Sequence, residues 1–174
     1  MSWKTLLEKE VESTFKATSN LFDMVESDKL NWKPASGSNW MTTGQLLMHI
    51  ATACGSSFKG FLTGDWGLPE GVDMSKLSPE EMLPPAEKMP TVMSLDEAKQ
   101  LLEADKKLSD EMLAQVTEDD LETKPAPAPW DPTQTPLGHR LLQMVQHMSQ
   151  HKAQLFYYLK LQGKPVNTGH LYGM

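Results

Sequence analysis

The chain has 174 residues, of which 39% are hydrophobic and 22% charged, and this composition suits one globular domain with a substantial core. Its formal net charge is −7, from 23 acidic and 16 basic residues, and the basic residues are scattered, so nucleic acid is disfavoured as a partner. The chain has neither an apolar run of roughly 18 residues nor a signal segment, and its single cysteine, Cys54, cannot form an intrachain disulfide, so we expect a cytoplasmic protein that does not enter membranes.

The first half of the chain carries two segments with helical periodicity. Residues 2–25 have apolar side chains mostly three or four positions apart, which indicates one buried stripe on an amphipathic helix. Residues 42–62 repeat this pattern and predict a second helix. Thr42 or Thr43 can cap its start, because a threonine hydroxyl accepts a hydrogen bond from a free N–H group of the first turn.

Residues 64–93 form a long connection with five prolines, at positions 69, 79, 84, 85 and 90, so this connection cannot be one continuous helix. Ser78 and Pro79 indicate the start of a short helical turn, with serine as the cap and proline in the first position. A connection of this length in a compact domain is often a lid over a site or a packing excursion.

The second half of the chain carries two further helical patterns. Residues 94–116 predict the third helix, and Ser94 with Glu97 three residues later is the arrangement of a capping box. A proline-rich segment, residues 125–129, must be extended. Residues 135–161 predict the fourth helix, which ends shortly before a glycine.

These elements predict an all-α fold in which residues 1–174 form a single four-helix bundle domain, with a long proline-rich connection between the second and third helices. Four amphipathic helices of this length can bury their apolar stripes against one another. No segment shows the alternation of a strand bounded by hairpin turns.

Two histidines of the fourth predicted helix, His147 and His151, are four residues apart and therefore lie on one face, one turn apart. Two imidazoles in this arrangement can bind one metal ion. The spacing alone is a weak signal, because many surface helices carry such a pair by chance and without a function. Apolar neighbours, Met148 and Leu155 among them, place the pair beside the buried stripe.

A third histidine, His49, lies in the inner stripe of the second predicted helix, between Leu46 and Ala53. A lone histidine in such a position is more often a hydrogen-bonded core residue than a ligand. Three buried histidines without partners would be costly, because their ring nitrogens need satisfaction, and one shared ion would satisfy all three. We therefore predict that His49, His147 and His151 converge inside the bundle to bind one divalent metal ion.

Several segments resemble the DinB family of bacterial metal-binding four-helix bundles. TTGQLLMHIA at residues 42–51 is similar to the second-helix motif of that family, and LNWKP at residues 30–34 is similar to its approach to this helix. HMSQHKAQL at residues 147–155 resembles the fourth-helix signature. The resemblance extends over most of the chain in helix order and length, but its motifs cover only the second and fourth helices.

The resemblance implies a site for zinc, nickel or a similar ion, with His49, His147 and His151 each on a ligand position of the family. It also implies frequent homodimers and a small-molecule substrate. Relatives include S-transferases that use low-molecular-weight thiols, which makes such a thiol a candidate substrate. Many members of the family have no assigned reaction.

Three protein ligands leave at least one coordination position open, as in catalytic rather than structural zinc sites. An all-nitrogen ligand set also accepts nickel, cobalt, iron or copper, so the residue types do not choose the metal. An ion held in this way lowers the pKa of a bound water or thiol and so activates it near neutral pH.

Asp105, at an inward position of the third predicted helix, is the candidate catalytic residue. It could orient a ligand histidine, act as a base or complete the coordination, and the alternative is a solvated carboxylate at the edge of the stripe. Gln154 could hydrogen-bond to His151 or simply pack. We expect Cys54 to be a small packing residue and His139 to lie near the mouth of the site or on the surface.

The sequence favours a metal-dependent enzyme that activates a bound thiol or water, with a thiol S-transferase as the narrower hypothesis. A metal-dependent hydrolase and a non-catalytic bundle that binds a metal or a small ligand are the alternatives. A carboxylate beside the open coordination position would favour hydrolysis, and an apolar pocket without a base would favour thiol chemistry. A site closed by packing side chains would favour binding alone.

Overall fold

The computed structural model describes residues 2–68, 72, 76–82 and 84–174, and its regular elements are helices, which confirms the predicted all-α class. Within these ranges, β-type pairing is limited to two isolated bridges, and no helix is long and apolar enough to cross a membrane. The helices are α1 (Trp3–Phe22), α2 (Thr43–Ala51), α3 (Gly55–Thr63), α4 (Pro79–Met82), α5 (Leu95–Gln115), α6 (Glu118–Thr123), α7 (Leu137–Leu161) and α8 (Thr168–Tyr172), with short 3-10 turns at Ser27–Lys29 and Ala86–Lys88.

The core lies where the long helices face one another. α1 packs against α5 and α7, and both α2 and α3 also pack against α5 and α7. The predicted stripes supply the buried side chains, since Leu7 and Val11 of α1 and Met148 and Leu155 of α7 are all 0% exposed. Burying one such side chain contributes roughly 1.5–3 kcal/mol, so these stripes determine which helix faces meet.

The prediction of a single helix over residues 42–62 is wrong, because α2 ends at Ala51 and α3 begins at Gly55. Asp105 of α5 explains the break. Its carboxylate accepts hydrogen bonds from the backbone N–H groups of Cys54, Gly55 and Ser56 at 2.9–3.0 Å. In a continuous helix these groups would donate to carbonyls four residues earlier, so the carboxylate starts a new helix by capping it.

Gly55 allows this capping contact, because α3 approaches α5 closely at that position. A Cβ atom at Gly55 would collide with the backbone carbonyl oxygen of Asp105. The absence of a side chain therefore lets the first turn of α3 lie directly on the carboxylate. Glycine is common where two backbones must approach in this way.

The remaining long helices, α1, α5 and α7, agree with the predicted helices to within three residues at each end. Ser94 caps α5 by accepting from the backbone N–H of Glu97, as predicted. The Glu97 carboxylate accepts from the N–H of Met93 instead of the N–H of Ser94, so only half of the predicted capping box forms. α7 ends just before Gly163, whose φ of +82° is the left-handed conformation that follows many helices.

Two short helices, α6 and α8, lie outside the predicted elements. Thr117 starts α6 through a capping box, and Asn167 starts α8 in the same way. α8 packs on α1 and α7, and the buried Lys152 of α7 donates from Nζ to the carbonyl of Leu171 at 2.8 Å. A helix of five residues is unstable alone, so tertiary contacts decide that this segment is helical.

The described part of the long connection confirms the predicted helical turn at Ser78, which appears as α4. The connection then returns along α2 and is fastened to it. The Gln45 side chain donates to the carbonyl of Met89 at 2.9 Å. The backbone N–H of Ala86 donates to the side-chain oxygen of Asn39 at 2.8 Å. Residues 84–89 are thereby held beside the N-terminal end of α2, the helix that carries His49.

The proline-rich segment before α7 is held by Arg140, which is 3% exposed. Its Nε donates to the carbonyl of Ala126 at 2.9 Å, and its guanidinium forms an ion pair with Asp131 at 2.9 Å. Residues on both sides of this segment pair with each other, because the N–H of Leu137 donates to the carbonyl of Lys124 at 2.8 Å. Isolated β-bridges at Pro125 and Ala128 agree with the predicted extended segment, and the chain turns at Pro129.

Candidate metal centre

The three predicted ligand histidines meet between α2 and α7. α2 carries His49 in its last turn, α7 carries His147 and His151 one turn apart, and the two helices pack against each other. One ring nitrogen from each residue lies within 4.8 Å of the others, close enough for one ion. Among the described residues, this is the one group of three or more histidine, cysteine or acidic side chains that could hold a metal ion.

The histidine rings lie close enough together to hold a single ion. Nε2 of His49 lies 3.0 Å from Nε2 of His147, and the ring of His151 stands edge-on to both, with centroid distances of 4.4 and 4.6 Å. Two ligand nitrogens on a tetrahedral zinc ion are about 3.3 Å apart, given zinc–nitrogen distances of about 2.0–2.1 Å. The His49–His147 pair therefore needs to separate by only a few tenths of an ångström to accept the ion.

The electrostatics of the three rings also suit metal binding. Burial lowers the pKa of both His49 and His147 to about 4, and the other histidines add to this effect by repelling a second positive charge. Burial also lowers the pKa of His151, although its hydrogen bond to Gln154 opposes the shift. At neutral pH the rings are neutral, so each has one nitrogen lone pair to offer to a metal.

A chain of hydrogen bonds determines which nitrogen of His151 carries the proton. The carbonyl of Met41 can only accept, so the Tyr158 hydroxyl donates to it at 2.9 Å. The Tyr158 oxygen then accepts from Nε2 of Gln154 at 3.2 Å, which leaves Oε1 of Gln154 to accept from Nδ1 of His151 at 3.0 Å. His151 is thereby held as the Nδ1–H tautomer, with the lone pair on Nε2 free for an ion.

Tyr158 anchors this chain of hydrogen bonds in the core. It is 1% exposed, and the rings of Trp32 and Trp40 pack edge-on against it at centroid distances of 5.2 and 6.3 Å. A buried network in which every member has a partner keeps its side chains in one arrangement. The tyrosine and both tryptophans therefore contribute to the orientation of His151 without reaching the site themselves.

A cavity of about 320 Å³ opens onto the histidines. Part of its wall comes from the long connection, and apolar side chains predominate in the lining, which comprises Asn39, Met41, His49, Met82, Pro84, Ala86, Met89, His147 and His151. A larger groove of about 430 Å³ lies between α1 and α5, and none of the three histidines lines it. The smaller cavity is the one that gives a ligand access to the predicted metal position.

Asp105 has other contacts than those expected from the sequence. It is 5% exposed, so the alternative of a solvated carboxylate is wrong. Its oxygens accept from the N–H groups at the start of α3, and it belongs neither to the histidine cluster nor to the lining of the described cavity. Its catalytic role stays a prediction, while the contacts in the structure are those of a helix cap.

The remaining polar and thiol side chains have contacts or exposure that the structure shows directly. Gln154 does hydrogen-bond to His151. Cys54 is 0% exposed, and burial raises the pKa of its thiol, so it packs as a neutral group. His139 is on the surface. In the tail, Nδ1 of His170 accepts from the backbone N–H of Asn167 and helps to cap α8.

Sequence reasoning missed the role of Tyr158 and the apolar wall of the cavity. Tyr158 follows His151 by seven residues and therefore lies on the same helix face, so its position carried a usable signal. Met82 and Met89 come from an irregular connection, where no periodic pattern indicates which side chains face the site.

Comparison with known proteins agrees with the resemblance of the helix motifs. The DinB superfamily model matches residues 10–155. No curated protein and no solved structure matches the chain. The matched region covers well over half of the 174 residues and includes His49, His147 and His151. The chain therefore belongs to the DinB superfamily.

Proposed function

We propose that this protein is a metal-dependent enzyme in which His49, His147 and His151 hold one divalent ion, zinc or nickel, to activate a thiol or a water. The observation that carries the proposal is the convergence of three neutral ring nitrogens within 4.8 Å at an open cavity. When bound, the ion supplies the Lewis acidity that lowers the pKa of the thiol or water beside it.

The histidines and their hydrogen-bond partners would hold the ion and leave room for a ligand. His49 and His147 approach the same point from different helices, and Gln154 keeps the lone pair of His151 on Nε2. Three protein ligands leave a position open for a substrate. The histidines line a cavity of about 320 Å³, which supports a catalytic site over a closed, purely binding one.

A thiol S-transferase is the narrower form of the proposal. Among the described residues that line the cavity, none is aspartate or glutamate. A hydrolase gains from a carboxylate base beside the attacking water, whereas a thiol whose pKa a metal lowers loses its proton to solvent without such a base. The lining thus favours a small thiol over water as the activated group.

We also propose the arrangement in which this site works. α1, α5, α7 and the broken pair α2 and α3 would serve as the four helices of a bundle, formed by residues 1–174 as one domain. Their mutual packing supports this arrangement. We also propose a homodimer, which the family resemblance implies, and a cytoplasmic location, with which the single cysteine is compatible. The net charge of −7 argues against nucleic acid as a partner.

Metal analysis of protein purified without an affinity tag tests the proposal. We expect close to one ion per chain in the wild type and little in His49→Ala, because two remaining histidines bind weakly. His139→Ala is the matched control, since it removes an exposed histidine from α7 and should leave the metal content unchanged. A wild type with no more metal than His49→Ala would refute the proposal. If the wild type does carry the metal, transfer assays with small thiols on the loaded protein would distinguish a transferase from a hydrolase.

A further inference from the structure

Three methionines from separate segments form an apolar wall beside the histidines. Met41 precedes α2, Met82 is in α4, and Met89 follows the 3-10 turn of the long connection, and all three line the cavity. We call these three residues the methionine wall. Methionine is flexible and polarisable, so such a wall adapts its shape to apolar or sulfur-containing groups.

The methionine wall is fastened to the helix that carries His49. The carbonyl of Met89 accepts from the Gln45 side chain at 2.9 Å. Two more hydrogen bonds hold the connection nearby, from the N–H of Ala86 to Asn39 at 2.8 Å and from the N–H of Val92 to the carbonyl of Gly44 at 3.3 Å. These contacts hold the Met89 part of the wall against α2, and Met41 directly precedes the cap of that helix.

The cavity offers no partner for a charged substituent. Apart from the histidines, the described lining residues include no acidic or basic side chain. The histidines would be occupied by the ion that they bind, and that ion would interact with the head group of a ligand. A charged group placed against the methionine wall would lose its hydration without gaining a counter-charge, which is unfavourable.

We propose that the site selects a small thiol whose substituent is uncharged and apolar, and that the methionine wall determines this selectivity. The inference rests on the proposed function for the position of the sulfur, beside the three histidines. The alkyl or aryl part of the thiol would lie along the thioether side chains. The cavity volume of about 320 Å³ is at the lower end of the range for ligand pockets, which suits a small substituent.

Binding of a series of alkanethiols to the cobalt-loaded wild type tests this inference. The visible spectrum of bound cobalt(II) reports both occupancy of the histidine site and the arrival of a sulfur ligand. Ethanethiol, 1-propanethiol and 1-butanethiol have similar acidity, so differences in affinity reflect the alkyl chain. We expect roughly fourfold tighter binding for each added methylene. Equal affinity across the series would overturn the inference.

Substitutions in the wall test the selectivity against charge. In Met89→Glu, the ratio of the affinities for cysteamine and 1-propanethiol should move roughly tenfold towards the cationic cysteamine, because the new carboxylate pairs with its ammonium group. The acidity difference between the two thiols cancels when ratios are compared. Met93→Glu is the matched control, since Met93 is 82% exposed, and it should leave the ratio unchanged. An unchanged ratio in Met89→Glu would overturn the inference.

Three controls distinguish a misfolded variant, failure of the proposed metal site and failure of the methionine wall. Circular dichroism checks that Met89→Glu folds, and Met82→Glu replaces it if it does not. A cobalt spectrum that is the same in wild type and His49→Ala would refute the proposed metal site, and the inference with it. A histidine-dependent spectrum combined with equal binding of all the alkanethiols would refute the methionine wall alone.

Discussion

Replacing Asp105 with alanine distinguishes a helix cap from a catalytic carboxylate. The substitution removes both acceptors for the N–H groups of Cys54, Gly55 and Ser56, and also the contact with the Ser56 hydroxyl at 3.3 Å. Cys54 and Gly55 are buried, and only Ser56 is exposed, so water cannot fully replace the lost oxygens. α3 would therefore begin with unsatisfied backbone groups.

The expected loss of stability follows from these contacts. A hydrogen bond to a charged group contributes roughly 1.5–3 kcal/mol, and loss of an N-terminal cap alone costs about 0.5–2 kcal/mol. Relief of the burial that raises the pKa of the Asp105 carboxyl offsets part of the loss. We expect Asp105→Ala to lower the free energy of unfolding by about 3 kcal/mol, and Asp105→Asn, which keeps one acceptor oxygen, to lower it by about half as much.

Urea unfolding of metal-free protein, followed by circular dichroism, measures this loss. Asp110→Ala is the matched control on the same helix, because Asp110 is exposed and only pairs with Lys106 at 2.6 Å, and it should change stability by less than about 1 kcal/mol. Unfolding of Asp105→Ala at the wild-type urea concentration would refute the cap. Wild-type stability together with loss of turnover in Asp105→Asn would instead support the catalytic role.

Three further predictions follow from the site and from its supports. Tyr158→Phe should weaken metal binding roughly tenfold in a chelator competition, because Gln154 loses the hydroxyl that orients its amide and so holds His151 less firmly, whereas Tyr157→Phe, at an exposed neighbour, should not. The metal-free protein should lose roughly 5 kcal/mol as pH falls from 6.5 to 4 in urea titrations, about half from each of His49 and His147, because these residues take up protons near 6.5 only when unfolded, and a flat profile would contradict this. Arg140→Met should lower stability by about 3 kcal/mol by thermal or urea unfolding, since it leaves the carbonyl of Ala126 without its partner, and an unchanged midpoint would contradict it.

Much of the helical framework could be predicted because its signals are local. Ser94 caps α5 within one turn, and Gly163 follows α7 where a left-handed residue is needed. The apolar periodicity of α1 and α7 identified the buried faces. The four-residue spacing of His147 and His151 placed two ring nitrogens on one side of a helix, so only their meeting with His49 required tertiary information.

The break between α2 and α3 could not be predicted, because its cause lies about 50 residues away in the chain. The segment around Cys54 and Gly55 has helical periodicity and no proline, so local propensity favours a continuous helix. The Asp105 carboxylate competes with that helix only after α5 has packed against it. For this reason the sequence alone indicated Asp105 as a candidate for the metal site, whereas in the structure its partner is the N-terminus of α3.

The sequence by itself determined the all-α class, the faces of the long helices and the three histidines, because periodicity, capping and residue type act within a few turns. The tertiary structure decided how those histidines are used. It set the tautomer of His151 through Tyr158 and the carbonyl of Met41, and it brought Met82 and Met89 to the cavity from a connection without periodicity. These contacts join distant segments, and such contacts form only when the helices have packed.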